Sequence, residues 1–335
     1  MVWNQNERSK IMEVFKHDQA IVGFMKNAKK VGFLSVTLVV ISLGLLFTKG
    51  LNFGIDFAGG TVVQLQYTGK APIKKVRDIL ANSSEYGEAT VNFFGSDSEI
   101  AIRTKQTSKA VKGGIKEKIV ALIKDTGDFT VRGVDMVGPA VGDELKSQGL
   151  QAMFYSILGI LLYISFRFEW RFAIASVMAL MHDVIIAMGA LSLFQIDVNL
   201  PILAAILTIL GYSLNDTVIV FDRIREGIRT LKSTKLEEVI DESVTRTLSR
   251  TTLTSLTTFF VVLTLYLFGG EALNGFSFTL LIGVVVGTYS SIFVASPILM
   301  WLNFSIDEFR ASEATKLKRE KEREKQRAMY EQGTI

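Results

Sequence analysis

Six stretches of the sequence run for about 18 residues or more with almost no charge: 31–48, 147–166, 172–194, 200–221, 252–268 and 275–302. Each is long enough, as a helix, to cross a hydrocarbon core roughly 30 Å thick. The pattern predicts a membrane all-α bundle of six transmembrane helices. Between the first two stretches, residues 49–146 change period. TVVQLQYT (61–68) alternates as a strand, APIKKVRDILAN (71–82) has helical spacing, and ATVNFFG with EIAIRT reads as a hairpin. A second helix, IKEKIVALIKD (115–125), and a last strand, FTVRGVDMV (129–137), complete the order βαββαβ. That order predicts one α+β ferredoxin-like domain, with the two helices covering one face of the sheet.

Two other segments carry weaker periodicity. In 222–251, Ile224, Ile228, Leu231, Leu236, Ile240, Val244 and Leu248 recur every three to five residues among charges. The spacing predicts amphipathic helices lying on the membrane surface. Residues 1–30, through Ile11, Val14, Phe15, Ile21 and Val22, carry a similar pattern of an interfacial helix. The tail 303–335, with KLKREKEREKQR, reads as a solvated helix or a disordered segment.

Composition agrees with the hydropathy: 49% of residues are hydrophobic and 23 are Phe, too apolar for an ordinary soluble domain. Charge adds orientation. Segments 1–30, 167–171, 222–251 and 303–335 hold 6, 2, 7 and 8 Lys/Arg, whereas the loops 195–199 and 269–274 hold none and carry Asp197 and Glu271. Lys and Arg concentrate on the cytoplasmic side, so both termini are expected inside and 49–146 outside. The absence of cysteine excludes disulfides and thiolate metal sites. KNAKK before the first apolar stretch resembles a signal peptide. Thirty residues precede that stretch and no small-residue cleavage site follows it, so it is expected to stay as an uncleaved span.

The candidate chemistry lies inside the membrane. On the fourth span, Thr208, Tyr212, Asn215, Asp216, Asp222 and Arg223 fall on one face, which should meet protein or water rather than lipid. The third span carries the adjacent pair His182 and Asp183. Counted from the inner ends, the two carboxylates should differ in depth by only about 5 Å. On the fifth span, Thr251, Thr254, Ser255 and Thr258 make a hydroxyl face above Arg250, a ready counter-ion. Most hydroxyls in spans are structural, and GVVVG (283–287) reads as a close-packing seam. Asp216 is different, because an aspartate at a span centre costs about 3 kcal/mol even on lenient insertion scales. Held between burial and a cation, it can take a proton from one side and release it to the other. Each proton moving down 100 mV supplies roughly 2.3 kcal/mol. No nucleotide loop, HExxH or defensible Ser-His-Asp order competes, so no enzyme, metal or cofactor is expected and a proton gradient is the energy source.

Five stretches in order, GIDFAGGT (54–61), VGPAVGDEL (137–145), the pair at 182–183, GYSLNDTVIVFDRIRE (211–226) and SRTTLTSLTT (249–258), resemble the SecF family. These are the smaller membrane subunits of the SecDF protein-export complex, within the resistance-nodulation-division class of proton-driven transporters. The resemblance implies a bacterial inner-membrane location and an outer domain that handles emerging preprotein. It also implies SecD as partner for a twelve-span unit beside the SecYEG translocon and its accessory subunits, with membrane lipids around it and no nucleic acid. By the family's pattern, Asp216 and Arg250 lie at the proton pathway, facing a SecD carboxylate. The motif glycines Gly54, Gly59, Gly60, Gly138 and Gly142 flank the outer domain and are candidate hinges or fixed turns. Two rival readings are a proton-coupled exporter of small lipids or drugs, and a passive scaffold subunit.

Overall fold

Alternation along the strands decides the outer domain. In the computed structural model, which describes residues 21–107, 114–231 and 233–331, β1 (Gly60–Tyr67), β2 (Thr90–Phe94), β3 (Ser96–Thr104) and β4 (Phe129–Val137) form one antiparallel sheet in the order β2-β3-β1-β4. Helices α1 (Ile73–Ala81) and α2 (Ile115–Ile123) close the βαββαβ order. Val63, Leu65 and Tyr67 of β1 point to one side, where they bury against Val76 and Leu80 of α1 and Ile115, Ile119 and Ile123 of α2. The opposite face carries Gln64, Asn92 and Arg103, and looks toward the loops of the membrane bundle.

Among the described residues, six helices are long and apolar enough to span a membrane. The first (Ala28–Thr48) is preceded by a 3-10 turn at Met25–Asn27; the second is Pro139–Arg167 and the third Trp170–Phe194. The fourth is Leu200–Thr230, the fifth Leu236–Phe268, and the sixth begins as Glu271–Ser290. The third, fourth and sixth bury about half of their apolar windows, whereas the first, second and fifth leave most of theirs exposed. The bundle thus has a three-helix core with three outer helices. The expected class, six spans with a ferredoxin-like domain, holds.

Several boundaries differ from the sequence reading. Residues 222–230 and 236–251 are not separate surface helices; they prolong the fourth and fifth spans. Their apolar stripes face each other, so that Ile224 and Ile228 bury with Val239, Ile240 and Val244. An amphipathic period reports one buried face, and here a neighbouring helix covers it instead of lipid. The second span starts at Pro139, before the apolar run, because Gly138 and Pro139 together open a helix that continues without a break. In the sixth span the α-helix gives way to a π-turn at Ser291–Ala295, followed by helix Ser296–Trp301. Pro297 has no N–H for the carbonyl four residues back, and a widened turn takes up the misfit.

The tail forms a helix, Ile306–Glu331. Arg310 anchors it, donating to the carbonyls of Ile228 (2.8 Å) and Leu231 (2.7 Å) at the end of the fourth span. Ile11, Val14 and Phe15, expected in an interfacial helix, lie outside the described residues. Ile21 and Val22 are exposed and outside any helix. Val22 N donates to Thr245 Oγ1 (3.1 Å) and Met25 N to Asp241 (2.8 Å), tying this entry segment to the fifth helix.

Candidate functional site

Close approach of the sixth span to the fourth sets the frame. A Cβ added at Gly283 would come within 2.2 Å of Ile209 Cγ1, and one at Gly287 within 3.1 Å of Ser213 Cβ. The GVVVG segment is therefore a packing seam in which backbone meets side chain directly. The seam brings the hydroxyls that follow it, Thr288 and Ser290, over the third, fourth and fifth spans.

Asp183 is fully buried and held from three directions. His182 Nδ1 lies 2.9 Å from Oδ1, Ser213 Oγ of the fourth span donates to Oδ2 at 2.5 Å, and Ser290 Oγ of the sixth donates to the same oxygen at 2.7 Å. The His182 ring is also buried and stacks on Tyr289 at 6.3 Å between centroids. Its Nε2 has no hydrogen-bond partner among the described residues. Tyr289 in turn bonds the first span, through Ser35 Oγ (2.7 Å) and the Val31 carbonyl (3.0 Å). One carboxylate thus gathers the third, fourth and sixth spans, and the tyrosine beside it adds the first.

Asp216 is buried as deeply but held more loosely. Its one side-chain hydrogen-bond partner among the described residues is Ser255 of the fifth span, at 3.3 Å. Ser255 in turn accepts from Thr288 Oγ1 of the sixth span at 2.7 Å. The Thr288 proton has a second acceptor 2.8 Å away, the Val284 carbonyl of its own helix. A single hydroxyl proton serves one of these acceptors well at a time. Ser213, which binds Asp183, stands three residues before Asp216, so the two carboxylate levels are about one helical turn apart.

Around this chain lie buried oxygens with no partner among the described residues: Tyr212 Oη, Thr217 Oγ1 and Thr251 Oγ1. Buried hydroxyls in this condition are commonly satisfied by water. Arg250 is exposed and makes no ion pair or side-chain hydrogen bond among the described residues. It stands five residues before Ser255, roughly 7.5 Å along the helix axis, and forms no ion pair with Asp216.

The expected polar faces are only partly brought together. Of the stripe on the fourth span, Asp216 is buried and Tyr212 half-buried, but Thr208 and Asn215 are exposed. The stripe straddles the edge of the packed core, because the bundle covers the fourth span on one side only. On the fifth span, Thr251 and Ser255 turn inward, one helical turn apart. Thr254 is exposed and Thr258 half-buried, and each donates back to its own helix, to Arg250 O (3.1 Å) and Thr254 O (3.0 Å). Thr288, Tyr289 and Ser290 are not among the residues expected from the sequence. The signal is present as GTYSS (287–291), a hydroxyl cluster at the end of the seam.

The glycine motifs meet outside the bundle. Gly59 and Gly60 have φ of 70° and 131°, in the left-handed region that disfavours other residues. A Cβ on Gly60 would sit 2.4 Å from Thr104 O, and one on Gly142 would sit 3.0 Å from Gly59 N. The two junctions of the outer domain are therefore packed on one another. Gly54 N donates to Val198 O (2.7 Å), whereas a Cβ added at Gly138 would meet nothing within 4 Å. The acidic residues of the outer loops then hold the sheet down. Asp197 pairs with Arg103 and accepts from Asn52 (2.5 Å), while Glu271 accepts from Gly95 N (3.3 Å). A cavity of about 410 Å³ remains between sheet and loops, lined by Gln64, Asn92 and Arg103 on one side and Asn199 and Asn274 on the other.

Comparison with known proteins agrees with this architecture. Residues 117–305 match the family described as protein export membrane protein SecD/SecF, C-terminal, and residues 44–71 match the SecD/SecF GG motif. A protein translocase subunit SecF of Helicobacter pylori is 45% identical over 324 residues, covering 97% of this chain and 100% of that protein. The one from Vibrio alginolyticus is 44% identical over 294 residues, covering 87% and 93%. Among solved structures, SecDF from Thermus thermophilus, described as a translocon-associated membrane protein, superposes with a TM-score of 0.78 at 36% identity. That match takes in 85% of this chain and 39% of the other. A SecDF structure in a super-membrane-facing form gives 0.64 at 34% identity, covering 89% and 40%. This chain spans about two fifths of each SecDF chain. With relatives matched along their whole length and six apolar helices in the expected arrangement, this is a multi-pass membrane protein with a transport role, and the chain belongs to the SecF family of protein translocase subunits.

Proposed function

We propose that this subunit works with SecD beside the SecYEG translocon and its accessory subunits, in a bacterial inner membrane, and uses the proton gradient to help preprotein outward. No cofactor enters the scheme. The termini lie in the cytoplasm and the sheet domain lies outside; the basic inner segments and acidic outer loops support that orientation.

The observation that carries the reading is the contrast between two buried carboxylates. Asp183 has three close partners, whereas Asp216 has one long hydrogen bond from Ser255 and unpartnered buried hydroxyls nearby. A buried charge without compensating hydrogen bonds is costly, so Asp216 is the group whose proton is most readily coupled to rearrangement. In the proposed cycle Asp216 takes a proton, water at Thr251 and Thr217 carries it, and Arg250 approaches as counter-charge when the acid is ionised. His182 and Asp183 form the second level of the relay and its anchor. Thr288 and Ser290 lie two residues apart, each bonded toward one carboxylate level, so a shift of the sixth span at its π-turn would be felt at both. Movement of the spans then reaches the sheet domain through the packed glycine junctions, and the domain alternately holds and releases preprotein.

The test is proton-gradient-dependent export in vesicles bearing Asp216→Asn or Arg250→Met. The proposal expects both to lose the gradient-dependent fraction while assembly with the partner persists. Full export with undiminished gradient dependence in both removes these residues from the mechanism.

A further inference from the structure

On the side of the sheet domain, the second, third and fourth spans and the segment after the first span enclose an apolar cleft of about 140 Å³. Met153 and Leu150 of the second span form one wall, Met188 and Leu191 of the third another, and Leu203 and Ile206 of the fourth the floor. Phe53 and Phe57, from the segment joining the first span to the sheet domain, close its outer end. The volume has room for several waters, since about 10–15 Å³ of such space admits one, yet apart from Lys146 the lining is apolar. Such a lining offers water almost no hydrogen-bond partners. A hydrocarbon chain fits.

Lys146 stands at the mouth. Its ammonium lies 4.8 Å from the centre of the Phe53 ring, and no carboxylate pairs with it among the described residues. A lysine with its stem along an apolar wall and its charge at the membrane surface is placed to meet an anion. Apolar depth and an unpaired cation at the rim together describe an amphiphile with a negative head. We propose that this cleft binds one acyl chain of a phospholipid from the leaflet on the sheet-domain side, with the lipid phosphate at Lys146. Because Phe53 and Phe57 form part of the wall, the lipid tail braces the segment that carries the outer domain. Occupancy therefore favours the docked position of that domain, independently of the proton relay.

The full-length protein, assembled with its partner, is reconstituted in vesicles of phosphatidylcholine and phosphatidylglycerol. A trace of phosphatidylglycerol carries a photoreactive diazirine in its acyl chain, and labelled residues are mapped by mass spectrometry. Label is expected on Leu150, Met153 and Met188 well in excess of that on Phe33, Val36 and Val40, the exposed face of the first span. Lys146→Gln should reduce cleft labelling about fivefold, the weight of one cationic side chain at an anionic surface. Met153→Trp, which fills the cleft, should remove the excess while labelling of the first-span face stays unchanged, showing the fold intact. Cleft labelling no higher than on the first-span face, or indifferent to Met153→Trp, overturns the site. Labelling that survives Lys146→Gln undiminished overturns the phosphate contact.

Discussion

Ser290 of the sixth span donates a 2.7 Å hydrogen bond to Oδ2 of Asp183 on the third, one residue before the helix opens into its π-turn. Two residues earlier, Thr288 reaches Ser255, which bonds Asp216. One short stretch of the sixth span is thus linked to both buried acids. A helix segment with a non-α turn has an alternative hydrogen-bonding register close in energy, which makes it a natural place for a small displacement.

Removing a donor from Asp183 should cost stability rather than transport coupling alone. Ser290→Ala and Ser213→Ala each leave a buried carboxylate short of one hydrogen bond, and about 1–3 kcal/mol of destabilisation is expected. Thermal unfolding of each variant in the same detergent reads it. Wild-type melting in both would show that Asp183 is not held as the geometry indicates.

Ser255→Ala acts on the looser acid. It removes the one side-chain partner that Asp216 has among the described residues, and also the bridge to Thr288. Folding should change little, since Asp216 can remain protonated, but gradient-dependent export should fall severalfold and its pH dependence should move. Export measured against external pH in vesicles checks this; an unchanged profile would separate Ser255 from the relay.

The packing seam makes a steric prediction. A side chain at Gly283 meets Ile209 at once, so Gly283→Leu should push the fourth and sixth spans apart and lower stability by about 1–3 kcal/mol or more. Gly211→Leu, at an exposed position with nothing within 4 Å of the added Cβ, should leave the melting temperature close to wild type.

At the junctions, Gly60→Val places a branched side chain at φ 131° and against Thr104 O, and should disorder the start of β1. Gly138→Ala, where nothing lies within 4 Å, should be tolerated. Proteolysis of the outer domain distinguishes them: faster cleavage is expected in the first alone.

Docking of the sheet onto the bundle rests partly on Arg103 and Asp197, each about a quarter exposed. Asp197→Asn should loosen it and raise hydrogen exchange in β3 and in the loop 195–199, with the wild type approaching the variant as salt is added. Identical exchange in the two proteins would mean that the ion pair contributes nothing to docking.

Much of this organisation is local information. Charge-free runs specify the number of spans, alternation and helical spacing specify the βαββαβ domain, and the Lys/Arg bias marks one side of the membrane. Asp183 and Asp216 stand out because ionisable groups are rare in spans, whatever surrounds them. Tertiary structure alone decides which hydroxyls reach them. Ser255 and Thr254 are neighbours in sequence with the same chemistry, yet one bonds a carboxylate on another helix and the other bonds its own backbone. Helix rotation and depth in the bundle separate them, and both depend on contacts such as Gly283 with Ile209 that join residues far apart in the chain. For the same reason the stripe in 222–251 could not reveal its partner: periodicity reports that one face is buried, and only packing reports what buries it.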